Sequence, residues 1–169
     1  MAYLRLLGNR HDDAAFERVV NTPARGVGDK TLELLREFAR DHGCSLWDAV
    51  RGLQQQQLLS ARAINAVLQF CSLIDGMEEA AVARPLDQLI SLAIETSGLR
   101  AFFEKEKGES AQARLENLEE LVNAAREFEA DPEEDISELQ QFIDRAALDA
   151  GEGQADEFED SIQLMTLHS

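Results

Sequence analysis

The stretch from Ser60 to Ala80, SARAINAVLQFCSLIDGMEEA, decides the fold class. Ile64, Val67, Leu68, Cys71 and Ile74 recur at three- and four-residue spacing, the period of one helical face, so a long helix is expected with those side chains inward. The same spacing continues to either side, and only Pro23, Pro85 and Pro132 interrupt it, which makes the whole chain all-α.

Upstream, helices are expected from Ala2 to Leu7, from Asp12 to Val20 with Asp12 as cap, from Asp29 to Arg40, and from Ser45, whose hydroxyl faces Asp48 in a capping-box-like arrangement. The four glutamines from Gln54 to Gln57 fit a solvated helix or connection. Downstream, Pro85 sits at the first turn of a helix that runs through Ile94 and stops at Ser97-Gly98, because glycine enters the left-handed conformation at low cost. Leu99 to Lys105, Ala111 to Phe128 and Ile136 to Leu148 supply further helices, the last two separated by an acidic turn from Asp131 to Asp135. Residues 161 to 169 alternate apolar side chains, the pattern of a short C-terminal strand or extended tail. A lone strand lacks partners for its backbone groups, so the chain is expected to be an excised piece.

The 169 residues carry 16 basic and 33 acidic side chains, a net charge of −17. The balance is uneven: residues 1 to 62 hold nine basic and eight acidic groups, and residues 63 to 169 hold seven and 25. One face can therefore approach phosphate while another repels it. No apolar run approaches the roughly 18 residues of a membrane span, and the start lacks a signal-peptide pattern, so a cytoplasmic protein without membrane contact is expected. Cys44 and Cys71 read as buried thiols rather than a bridge or a metal pair. His11, His42 and His168 are scattered, with no ligand spacing among them. No phosphate-loop, dinucleotide or zinc-protease motif is present, so neither a catalytic residue nor a metal ligand is assigned.

One connection carries chemistry: Asn21-Thr22-Pro23-Ala24-Arg25-Gly26-Val27-Gly28-Asp29-Lys30-Thr31. Two glycines around one apolar residue make a tight hairpin before a helix N-terminus, where amides and the helix dipole favour a phosphate oxygen. Arg25 and Lys30 add charge, and such contacts read no base sequence. The other reading is a plain tight connection in which Asp29 caps its helix and repels phosphate.

Several stretches resemble the start of the 2B subdomain of UvrD/PcrA/Rep-type superfamily 1A DNA helicases, most closely their UvrD branch. They are Ala2-Tyr3-Leu4-Arg5-Leu6, Asn9, the run from Asp12 to Pro23, and Arg25-Gly26-Val27-Gly28. Ser97-Gly98-Leu99, Glu104-Lys105-Glu106, the run from Arg114 to Leu121 and the tail from Leu164 to Ser169 extend the likeness, the tail resembling a truncated motif V. The family's hairpin usually has isoleucine where Val27 stands. The resemblance implies a helical 2B-like subdomain over residues 1–160, with residues 161–169 opening motor domain 2A. It implies a regulatory, duplex-contacting part of an ATP-dependent 3′-to-5′ DNA repair helicase. ATP and Mg would act in the parent and no cofactor in this piece, which would be no enzyme by itself. Its partners would be duplex DNA backbone, motor domains 1A and 2A, and DNA repair proteins. Thr22, Arg25, Gly26, Val27, Gly28, Lys30 and Thr31 become the DNA-binding residues, while Arg114 and Asn117 hold helices together. The alternative is a helical protein–protein interaction module with no direct DNA contact.

Overall fold

A computed structural model of the chain describes residues 1–149. They form two compact units, Met1–Glu127 and a second one beginning at Phe128. All the regular structure among the described residues is helical. The expected strand, and with it the proposed boundary at residue 161, lies outside them.

The first unit contains α1 (Ala2–Gly8), α2 (Asp13–Val19), α3 (Asp29–His42), α4 (Leu46–Gln55), α5 (Ala61–Ala81), α6 (Leu86–Ser97), α7 (Leu99–Lys105) and α8 (Glu109–Glu127). Local chemistry sets most of the boundaries. The Asp12 carboxylate accepts from the Ala15 amide to start α2, and the Ser45 and Ser60 hydroxyls do the same for α4 and α5. Gly43 and Gly98 close α3 and α6 with φ of 61° and 79°, values an L-residue adopts only under strain. Pro85 is the cap of α6 rather than a member of its first turn; its ψ of 151° is extended, so the helix opens at Leu86.

Helix α5 packs against α1, α4 and α6. Its buried face is Val67, Phe70, Ile74 and Met77, whereas Ile64, Leu68 and Cys71 are half-buried. The inward face is thus rotated from the one expected, because helices on two sides of α5 select Phe70 and Met77. Phe16 of α2 lies at the heart of the core, edge-on to Phe70 at 5.5 Å and to Trp47 at 6.3 Å. On α8 only Ala111 and Ala125 are fully buried, and Leu115, Leu118, Leu121 and Val122 are half-buried, so this long helix lies on the outside of the unit. Both cysteines are free and half-buried rather than buried outright. Burial pushes the Cys71 thiol up to about 12, with the Asp75 carboxylate adding to the effect.

In the second unit Phe128 meets Phe142 edge-on at 5.4 Å. The Gln141 side chain closes the acidic turn, accepting from the Asp131 amide at 2.7 Å and donating to the Asp131 carbonyl at 3.0 Å. Residues 138–149 are helical.

Candidate nucleic-acid interface

The hairpin between α2 and α3 is built around the Asn21 side chain. Its Oδ1 accepts from the amides of Arg25 at 2.7 Å and Val27 at 3.3 Å, which turns those two N–H groups into the loop. Val27 is 1% exposed and plugs the turn into the core, so the two flanking glycines stay at the surface. Gly26 has φ of 81°, the left-handed value that favours glycine. Gly28 does not need to be glycine for its backbone: φ is −88° and ψ 170°, and a Cβ there would meet nothing within 4 Å. A side chain at Gly28 would therefore strain nothing in the hairpin; only the approach of another molecule would be obstructed.

Gly28 is the N-cap of α3 and makes no side-chain cap. Asp29 is the first helical residue, so it does not cap the helix as the plain reading supposed. The Thr31 and Leu32 amides bond back to the Gly28 carbonyl at 3.0 and 3.2 Å. The amides of Gly26, Gly28, Asp29 and Lys30 have no acceptor among the described residues. These four donors belong to exposed residues at the positive end of a 14-residue helix, a setting that favours an anion. The exposed Lys30 ammonium has no carboxylate within ion-pair distance among the described residues. Thr22 is exposed, whereas Thr31 is 8% exposed and faces the interior.

Arg25 differs from the surface cation its position in the motif suggests. Its Nη1 donates to the carbonyls of Val19 at 3.0 Å and Pro23 at 3.1 Å, and its Nη2 to the Tyr3 hydroxyl at 2.7 Å and the Ser97 carbonyl at 2.8 Å. The guanidinium also lies over the rings of Tyr3 and Phe70, at 5.8 and 5.6 Å from their centres. The Tyr3 hydroxyl in turn donates to the Thr22 carbonyl at 2.6 Å. Burial holds the Tyr3 pKa above its ordinary value of 10.0, against the opposing pull of Arg25, so the hydroxyl remains a donor at neutral pH. Asn21 and Tyr3 were missed as site-forming residues. The signal was a short carboxamide at the head of a glycine-containing loop, a side chain that readily accepts local backbone amides.

Elsewhere, Arg114 donates to Glu106 at 3.0 Å and lies over the Phe103 ring, tying α8 to α7, while Asn117 is exposed and makes no side-chain bond among the described residues. His11 meets Ser45 and His42 stacks on Phe38, each at the surface. A concavity of about 640 Å³ in the second unit includes Glu129, Asp131, Glu134, Asp135 and Asp144 in its lining, a charge that repels phosphate.

The amide-presenting hairpin now has a family context: the model of the UvrD-like helicase C-terminal domain matches residues 1–169. The chain belongs to that family. It is 52% identical to DNA helicase II of Escherichia coli and 46% identical to that of Haemophilus influenzae. It is 34% identical to the ATP-dependent DNA helicase PcrA of Bacillus subtilis. Each match covers the whole chain but only 24%, 23% and 23% of the respective relative, so the chain spans about a quarter of their length. As a UvrD-like helicase domain it is all-α over its described residues, none of whose helices is long and apolar enough to cross a membrane.

Proposed function

We propose that this chain is the 2B subdomain of an ATP-dependent 3′-to-5′ DNA repair helicase, and that it holds the backbone of duplex DNA through the hairpin from Thr22 to Thr31. The observation that carries the reading is the set of four amides, at Gly26, Gly28, Asp29 and Lys30, that have no acceptor among the described residues, in a chain of a helicase family. Phosphate oxygens accept from those amides, Lys30 adds an exposed charge, and Thr22 lies at the rim. Arg25, Val27 and Thr31 support the same surface from within. Contacts of this kind position a backbone and leave base sequence unread.

The chain holds no nucleotide-phosphate motif, so ATP and Mg act in motor domains 1A and 2A of the parent, with residues 161–169 opening 2A. DNA repair proteins are further partners in the cytoplasm. Few phosphates are met and the net charge is strongly negative, so the chain alone binds duplex in the non-specific range of about 10⁻⁴ to 10⁻⁶ M or more weakly. Fluorescence anisotropy with a short labelled duplex at low salt tests the proposal. Gly28→Val leaves the backbone unstrained yet blocks approach, and it should abolish binding with helicity intact. Lys30→Ala should lower the salt slope by about one. Unchanged binding by both variants would favour a helical protein–protein interaction module instead.

A further inference from the structure

Arg25 brings a positive charge to the hairpin, and every partner it makes among the described residues is neutral. Four of the five N–H donors of a guanidinium are engaged by the Val19, Pro23 and Ser97 carbonyls and the Tyr3 hydroxyl. Two aromatic faces complete its surroundings, and no carboxylate lies within ion-pair distance of it among the described residues. The hairpin amides that have no acceptor among the described residues lie on the same turn. The planar fork also fixes the hairpin to three places at once: α1 through Tyr3, the end of α2 through Val19, and the α6–α7 corner through Ser97.

We propose that Arg25 is a positioning residue of the hairpin, not a phosphate ligand: it clamps the turn to Tyr3 and Ser97 so that the amides of Gly26, Gly28, Asp29 and Lys30 face outward while its charge stays unneutralised. The inference rests on the duplex-binding reading above. It differs from a direct-ligand role in a checkable way, because a lysine keeps the charge but cannot reproduce a planar, four-acceptor fan.

The test uses the 169-residue chain and a short duplex at low salt, with Arg25→Lys, Tyr3→Phe and Lys107→Arg. Tyr3→Phe removes one hydroxyl and no charge. Both Arg25→Lys and Tyr3→Phe should weaken duplex binding by about tenfold, the effect of losing a buried hydrogen-bond partner, and should shift the free-chain amide resonances of Gly26 and Gly28. Lys107→Arg, on the exposed connection between α7 and α8, should bind as the parent does. Wild-type affinity in Arg25→Lys or in Tyr3→Phe overturns the positioning role. If Arg25→Lys does not fold, Tyr3→Phe alone decides. If the unmodified chain binds no duplex, the proposed function fails, and the positioning role is then decided in the free chain: shifted Gly26 and Gly28 amides in Tyr3→Phe uphold it, and unmoved ones overturn it.

Discussion

The Arg25 guanidinium donates to the Ser97 carbonyl oxygen at 2.8 Å across 72 residues of chain. Ser97 is the last residue of α6, and Gly98 after it turns left-handed, so the carbonyl that α6 leaves without a helical partner becomes the anchor of a hairpin on the other side of the sequence. A stretch that reads as a local turn is thereby a tertiary feature, held in shape by the packed core.

Close packing of α3 on α4 depends on Gly52. A Cβ at that position would clash with Cζ and Cε1 at the outer edge of the Phe38 ring, which is itself stacked on His42. Alanine ordinarily stabilises a helix interior relative to glycine by about 1 kcal/mol. Here Gly52→Ala should instead destabilise the chain by about 1–3 kcal/mol, the scale of overpacking. Urea unfolding followed by circular dichroism checks the sign; a more stable variant would contradict the packing described.

Glu17 on α2 and Arg36 on α3 form a two-bond fork, both contacts at 2.7 Å. The Arg36 hydrogen bond holds the Glu17 carboxyl below its ordinary value of 4.5. A lowered folded-state pKa means that the associated stability is present above pH 4.5 and is lost as the pH falls through the folded value. Carboxyl NMR titration should therefore find Glu17 titrating below 4.5, and Arg36→Met should return it toward that value. The pair is largely exposed, so its contribution to stability is small.

Cys71 should be chemically silent. With its thiol pushed up to about 12 by burial, only about 10⁻⁴ of it is ionised at pH 8, and the thiolate is the reacting form. In mass-spectrometric alkylation of the native chain Cys71 should remain unmodified over times that label it fully in urea. Labelling at the rate of a free thiol would show that the packing around it is wrong.

What was legible in the sequence follows the range of the interaction. Asp12, Ser45 and the Ser97-Gly98 stop act on backbone groups within a few residues, and each behaves as its type and spacing suggest. The rotation of α5 was not legible, since Leu68 and Phe70 are both apolar and only the neighbouring helices decide which is buried. Arg25 was read as a surface cation because its residue type and motif fit phosphate; its acceptors on Tyr3 and Ser97 lie far away in the chain. Asn21 went unnoticed because a loop asparagine has many uses, and only its two received amides reveal this one.

Contact between the hairpin's amides and DNA backbone is tested most directly by a two-dimensional amide NMR titration of the 169-residue chain with a short duplex at low salt. The amides of Gly26, Gly28, Asp29 and Lys30 should move first and together, with Val27 following, and the shifts should collapse as salt is added. Shifts confined to α8 and the acidic turn from Asp131 to Asp135, with Gly26, Val27 and Gly28 unmoved at saturating duplex, would contradict it.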